Sequence, residues 1–312
     1  MNIAVEYIDQ SGTIHNQTHH LTRLAFVKHL AIAGQHYAPS SHKFLNTLAS
    51  FVVYKYFIQR QEFNNDRFSE PPINLSDPTR KGQFSNLAGK AIADFLSKRI
   101  NQSIYTVDYE AAMRMRSMPI VGGRPDLLAF TSNAQFAIEA KGYSGGHGNM
   151  ATHKAQSQTG GIPVNFSVAC VSYDIYNNVK CKYHDPYNDN ITYDNELLRQ
   201  LTANYYKGFS EYLDQRYFHY DEVQIQNETF LAVTFDYRFF EKYFDRDFPP
   251  FPYHWYREIF DFYRPTLLLP SAIRQYATSG ITNENKPFIF DTNDNNRYTY
   301  IDNDRIGLQI RR

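Results

Sequence analysis

"RPDLLAFTSNAQFAIEAKG", residues Arg124 to Gly142, decides how the chain is read. Two short apolar runs flank a polar turn at Thr131 to Ala134, which predicts a β-hairpin. Side chains alternate across a strand, so Asp126, Leu128 and Phe130 share one face, and Ala137, Glu139 and Lys141 share a face of the second strand. With that turn Phe130 faces Gln135, and the same register sets Asp126 opposite Glu139. Opposed Cβ atoms lie about 4.5 to 5.5 Å apart. Two ionised carboxylates that close repel one another unless a cation sits between them. Hard oxygen ligands with open positions suit Mg²⁺ or Mn²⁺. Lys141, two residues on and on the same face, falls just beyond such a metal.

The neighbours of the hairpin give it a context. Upstream, "FSNLAGKAIADFLSKRI" places Phe84, Leu87, Ala88, Ala91, Ile92, Phe95 and Leu96 on one helical face, with Ser85 as the expected N-cap. "SIYTVDY" (Ser103 to Tyr109) reads as a strand. Downstream come a glycine-rich loop, "GYSGGHGN", a helix-compatible "MATHKAQSQT" and a strand at "VNFSVACVSYDI" (Val164 to Ile175). The order helix, three strands, helix, strand predicts an α/β fold, a mixed sheet flanked by helices.

"PD" followed by "EAK", each within strand character, resembles the PD-(D/E)XK nuclease superfamily, the restriction-endonuclease-like proteins, over roughly the middle third of the chain. The resemblance implies that Asp126 and Glu139 ligate Mg²⁺ (Mn²⁺ as a substitute) with the Ala140 carbonyl as a further ligand. It implies that Lys141 orients or deprotonates the attacking water, and that a glutamine of the following helix, Gln156 or Gln158, stands near the site. Many members carry an acid on the first helix. Here that helix offers only Asp94, off the apolar stripe, and Asp108 or Glu110 are the substitutes. The expectation is a metal-dependent endonuclease that hydrolyses phosphodiester bonds, with DNA as the usual family substrate. The alternatives are an inactive nuclease-like scaffold that binds nucleic acid or a protein, or a nuclease for RNA or structured junctions.

Three regions are expected: a helical N-terminal region (1–75), the nuclease-like core (76–185) and an aromatic-rich, acidic C-terminal region (186–312). Leu21 to Gly34 and Ser41 to Arg60 have helical periodicity. Gln61 to Gln83 is polar and proline-bearing, as an exposed connection would be. Further on, a helix is expected over Asn195 to Tyr217, a strand over Thr229 to Tyr237, and a small terminal hairpin with Asn and Asp in its turn.

A formal net charge of zero excludes indiscriminate coating of nucleic acid, yet residues 80–160 hold ten Lys/Arg against five Asp/Glu. From Tyr183 onward there are fourteen Lys/Arg against twenty Asp/Glu. A basic middle fits a polyanion and an acidic back half fits a protein partner. Arg80, Lys81, Arg114, Arg116, Arg124 and Lys154 are the expected phosphate contacts. Cutting both strands of a duplex would call for a homodimer. The stretch Tyr237 to Pro265 is dense in aromatics and acids, which favours packing or an interface over base stacking. Cys170 and Cys181 are the only cysteines, with no CxxC spacing, and are expected as buried thiols. His15, His19 and His20 read as a solvated polar loop, since no fourth zinc ligand follows. His147 and His153 follow the motif and are candidates for a proton relay or a phosphate contact. "GGHGN" lacks the Lys-Ser/Thr of a P-loop. The start of the sequence shows no signal-peptide pattern, and Leu45 to Ile58 is too short and too charged for a membrane span, so a cytoplasmic protein without membrane contact is expected.

Overall fold

The first strand is written in the period-two alternation of Ile3, Val5 and Tyr7, which puts Ile3 and Val5 inward and Asn2 and Ala4 outward. In the computed structural model Asn2–Ile8 (β1) pairs antiparallel with Ile14–His20 (β2), and the chain then enters Arg23–Ile32 (α1), capped by the Thr22 hydroxyl. The structure describes residues 1–34, 54, 56–70, 78–185, 194–214, 218–235, 264–280, 288 and 298–310. Most of the helix expected over Ser41 to Arg60 lies outside these, as does nearly all of Tyr237 to Pro265.

Arg60–Asn64 (α2) and Pro78–Ile100 (α3) follow. The expected exposed connection is thus partly helical, and α3 begins well before Ser85. Pro78 has its φ preset for a first turn and lacks only an N–H that a helix start leaves unused. Ser85 donates its hydroxyl to the Lys81 carbonyl from within the helix instead of capping it. Tyr105–Asp108 (β3), a short helix Tyr109–Met115 (α4), Leu127–Phe130 (β4), Gln135–Gly142 (β5), Met150–Ser157 (α5), Phe166–Tyr173 (β6) and Lys180–His184 (β7) complete the core. The seven-stranded sheet has the order β2-β1-β7-β6-β5-β4-β3 and is mixed: β5 runs parallel to β6 and β1 parallel to β7. The α/β class expected from the sequence is the class found.

The N-terminal region was expected to be helical, but it opens with two strands, β1 and β2, which extend the core sheet before α1 begins. His15, His19 and His20 are strand residues on β2 and not a loop: alternating polar residues suit an edge strand with solvent on both sides.

Beyond the core, Asn195–Ser210 (α6) continues as a 3₁₀ turn to Asp214. A second, antiparallel sheet has the order β11-β12-β10-β9-β8, from Phe218–Ile225 (β8), Glu228–Phe235 (β9), Thr266–Pro270 (β10), Thr299–Ile301 (β11) and Gly307–Gln309 (β12), with Ile273–Ser279 (α7) packed on α6. The expected terminal hairpin is β11–β12, with Asp302, Asn303 and Asp304 in its turn. No described helix is long and apolar enough to cross a membrane. Cys170 and Cys181 are buried free thiols on adjacent strands.

Both faces of β4 and β5 are covered, and this explains their unbroken apolar runs. Helix α3 crosses one face at a backbone-to-backbone contact. A Cβ on Gly142 would stand 1.8 Å from the Ser85 carbonyl oxygen, and one on Gly89 2.5 Å from the Lys141 carbonyl. Neither neighbour is a flexible side-chain end. Gly142→Ala is therefore expected to cost about 3 kcal/mol, the upper range for overpacking; a urea unfolding free energy within about 1 kcal/mol of wild type would contradict it.

Candidate active site

The hairpin pairs in the expected register, from Phe130 with Gln135 to Leu127 with Ile138. The ladder ends there. The Asp126 amide donates to the Ile138 carbonyl (3.0 Å), not to Glu139, and the Asp126 carbonyl accepts from the Tyr109 amide (3.2 Å). Pro125 has no N–H with which to carry the ladder further. The expected direct opposition of Asp126 and Glu139 is corrected accordingly: Asp126 leaves the strand and turns its carboxylate across the ladder's end. Its Oδ2 accepts the Ala140 amide at 2.9 Å and the Lys141 ammonium at 3.2 Å. The same ammonium touches Glu139 Oε1. The two acids and the lysine are thus brought together by two consecutive strands and the residue that leaves one of them.

Glu139 is fully buried, while the side chains of Asp126 and Lys141 remain 34% and 28% exposed, so the trio opens to solvent on one side. Burial, then the nearby Asp126 carboxylate, pushes the Glu139 carboxyl up to about 7. Burial works against the Lys141 charge, but Glu139 and Asp126 outweigh it and raise its pKa. Lys141 here stands in the place of a counter-ion between two carboxylates. Glu139 Oε2 finds no hydrogen-bond donor. A buried acceptor without a donor is costly and rare. Beside a second carboxylate and an opening to solvent, it fits a hard divalent cation.

A raised carboxyl pKa has a definite sign in stability. The folded state holds the Glu139 proton more tightly than the unfolded chain, so the metal-free protein loses stability as pH rises from about 4.5 through about 7. A cation binding the ionised pair reverses that loss. Mg²⁺ should therefore raise the melting temperature more at about pH 8 than at about pH 6, and an equal or larger rise at the lower pH would contradict the assignment.

Helix α5 lies over the face that carries Glu139 and Lys141. Ser167 of β6 pairs with Ala137 on that face, and Lys154 of α5 bonds the Ser167 carbonyl and hydroxyl. Lys154 is buried by these contacts, so the expected phosphate contact is a structural one. Gln156 Nε2 donates to the Arg124 carbonyl at 3.2 Å, two residues before Asp126, while Gln158 caps the helix end and is exposed. Of the two candidate glutamines the structure brings Gln156 to the site. One turn earlier, His153 bonds the Tyr143 hydroxyl at 3.1 Å. Tyr143 had a signal that sequence reading passed over: it lies two residues beyond Lys141, on the same strand face.

The candidates for an additional acid are placed elsewhere. Asp108 caps α4 through the Ala111 amide and lies 3.6 Å from Lys90. Its partner Leu127 pairs onward with Ile138, on the face away from Glu139. Glu110 is ion-paired to Arg124 and Arg114. Arg116 pairs with Asp194 and Lys81 with Glu70, which leaves few of the expected phosphate contacts without an acid.

Asp94 is fully buried in a second charged cluster. Its Oδ2 takes His29 Nδ1 at 2.6 Å, and its Oδ1 takes the Thr106 hydroxyl. With His29 and Asp302 it has the donor types of a metal site. Both His29 nitrogens are already engaged, Nε2 by the Tyr300 hydroxyl at 2.9 Å. Lys98 reaches Asp94 (3.5 Å), Asp302 (2.8 Å) and Asp304 (3.4 Å), and Lys28 reaches Asp302 and Asp304. Two ammonium groups already occupy this cluster as its cations. It ties α1, α3 and the β11–β12 turn together.

No family model, curated protein or solved structure matches this chain.

Proposed function

We propose that the chain is a metal-dependent nuclease that hydrolyses phosphodiester bonds, most directly those of DNA, at Asp126, Glu139 and Lys141. The observation that carries this reading is the donor-free Glu139 oxygen, buried beside a second carboxylate and a lysine at a solvent-facing strand end. Asp126 and Glu139 would hold Mg²⁺ or Mn²⁺, with the Ala140 carbonyl as a further ligand. The metal's chemistry when bound is Lewis-acid activation of water and of the phosphate.

The chain's own groups do the rest. The Lys141 ammonium, beside both carboxylates and partly open to solvent, would orient the attacking water and meet charge developing on the phosphate. Gln156 fixes the Arg124–Asp126 segment through the Arg124 carbonyl and so sets where the Asp126 carboxylate points. The Ala140 amide does the same from the other strand. The test is incubation of wild type and Asp126→Ala with plasmid, single-stranded DNA and RNA in Mg²⁺ or Mn²⁺. Cleavage by wild type and none by the variant is the expected result, and equal cleavage by both would rule the site out.

A further inference from the structure

Beside Lys141 the sheet carries a shelf of side chains that the hydrolytic trio does not use. Lys141 pairs with Val171 across β5 and β6, and the Tyr143 amide continues the ladder to the Ser172 carbonyl at 2.9 Å. Tyr143 and Tyr173 therefore stand next to each other on the face of Lys141, one register step further on. From strand rise and spacing, Tyr173 lies roughly 8 Å from Lys141 at the backbone. Tyr173 pairs in turn with Lys180 of β7, whose Nζ stands 5.9 Å from the centre of its ring. His147, from the glycine-rich loop, meets the Tyr173 ring edge-on at 5.2 Å. His153 bonds the Tyr143 hydroxyl.

Two features mark this shelf as a place for a ligand. His147 Nδ1 and His153 Nδ1 are both buried without a hydrogen-bond partner, and His153 as a residue is only 8% exposed. Groups of this kind are rare unless something else satisfies them. Secondly, α5 packs on β5 and β6, while on the face of Tyr173 the next strands present Lys180, Lys182 and His184 of β7 and Ala4 and Glu6 of β1, all exposed or half-buried. Tyr173 and Lys180 stay partly exposed, and Gly145 and Gly146 beside them are open, with nothing within 4 Å of where a side chain would begin.

We infer that Tyr143, His147, His153, Tyr173 and Lys180 form the subsite for an unpaired nucleotide of the substrate strand, next to the scissile phosphate. This rests on the nuclease reading and adds the substrate class, a strand that is single at this point. The base lies against the Tyr173 ring, a contact open to any base but only when its face is not stacked in a duplex. The neighbouring phosphate meets Lys180, whose present partner, Asp174 Oδ2 at 3.3 Å, is a surface contact it can exchange.

The experiment is fluorescence anisotropy of a labelled single-stranded oligonucleotide, and of its duplex, with metal-free protein in chelator. Tyr173→Ala should weaken single-strand binding about tenfold, Tyr173→Phe should restore it, and duplex binding should change much less. Lys180→Ala, at a partly exposed position that does not threaten the fold, should weaken binding and flatten its salt dependence by about one phosphate contact. Unchanged single-strand binding in both alanine variants, or an equal loss for duplex, would overturn the subsite. If wild type cleaves while these variants bind as it does, only the subsite falls. If wild type neither binds nor cleaves any nucleic acid, the nuclease reading fails and the subsite with it.

Discussion

Lys98→Met should destabilise the fold by about 3–5 kcal/mol, the cost of removing one partner from a buried ion network. Lys98 is 3% exposed and stands among the carboxylates of Asp94, Asp302 and Asp304. Methionine fills much the same space, so little of the loss is cavity. What remains is three buried carboxylates facing one ammonium, that of Lys28. His29 stands beside them, and in the wild-type cluster its burial lowers its pKa and disfavours its charge. The pH dependence follows from the acids. Despite burial, Lys98 is the first of the partners that hold Asp94 low, and Lys28 and Lys98 together hold Asp302 well below the ordinary range. Stability from such groups is present above the unfolded carboxylate pKa, about 4, and is lost as pH falls through the folded value. The gap between variant and wild type should therefore narrow below about pH 4. Urea unfolding at both pH values checks this. A cost under about 1 kcal/mol at neutral pH, the scale of surface pairs, would show that the cluster contributes little to holding α1, α3 and the terminal hairpin together.

Lys141→Met should separate binding from chemistry. The ammonium contacts both carboxylates, so its removal should leave Mg²⁺ binding intact or tighter. Cleavage should nevertheless slow by about 10²–10³-fold, the usual consequence of deleting one charge-stabilising donor. Metal affinity by calorimetry and single-turnover cleavage on the same preparation give the two readouts. Loss of metal binding together with cleavage would mean that Lys141 is needed to build the site rather than to act in it.

The hairpin was legible because two apolar runs flank a four-residue polar turn, which fixes the register of the strands between them. That is enough to give the pairing of Leu127 with Ile138 and the company of Asp126, Glu139 and Lys141. The departure of Asp126 from the ladder was foreshadowed by Pro125, whose missing N–H marks where a strand must stop. The notch at Gly89 and Gly142 was not legible, since it depends on how a helix and a strand happen to cross. Strand β1 carried its alternation openly in Ile3, Val5 and Tyr7, but its place between β2 and β7 is a long-range pairing that local pattern does not specify. Asp94 shows the opposite difficulty. An acid off the apolar stripe reads as solvent-facing, and only the distant Lys28, His29 and Asp302 make its burial tolerable. Lys154 is the same lesson for a base: its burial depends on Ser167, a residue thirteen positions on.

The most direct test of the central claim is calorimetric titration of Mg²⁺ or Mn²⁺ into wild type and Asp126→Ala, each also with a DNA fragment present. Binding by wild type that is lost in Asp126→Ala is the predicted result. Binding that is equal in both proteins, or absent from wild type even with DNA, would contradict a metal site at Asp126 and Glu139.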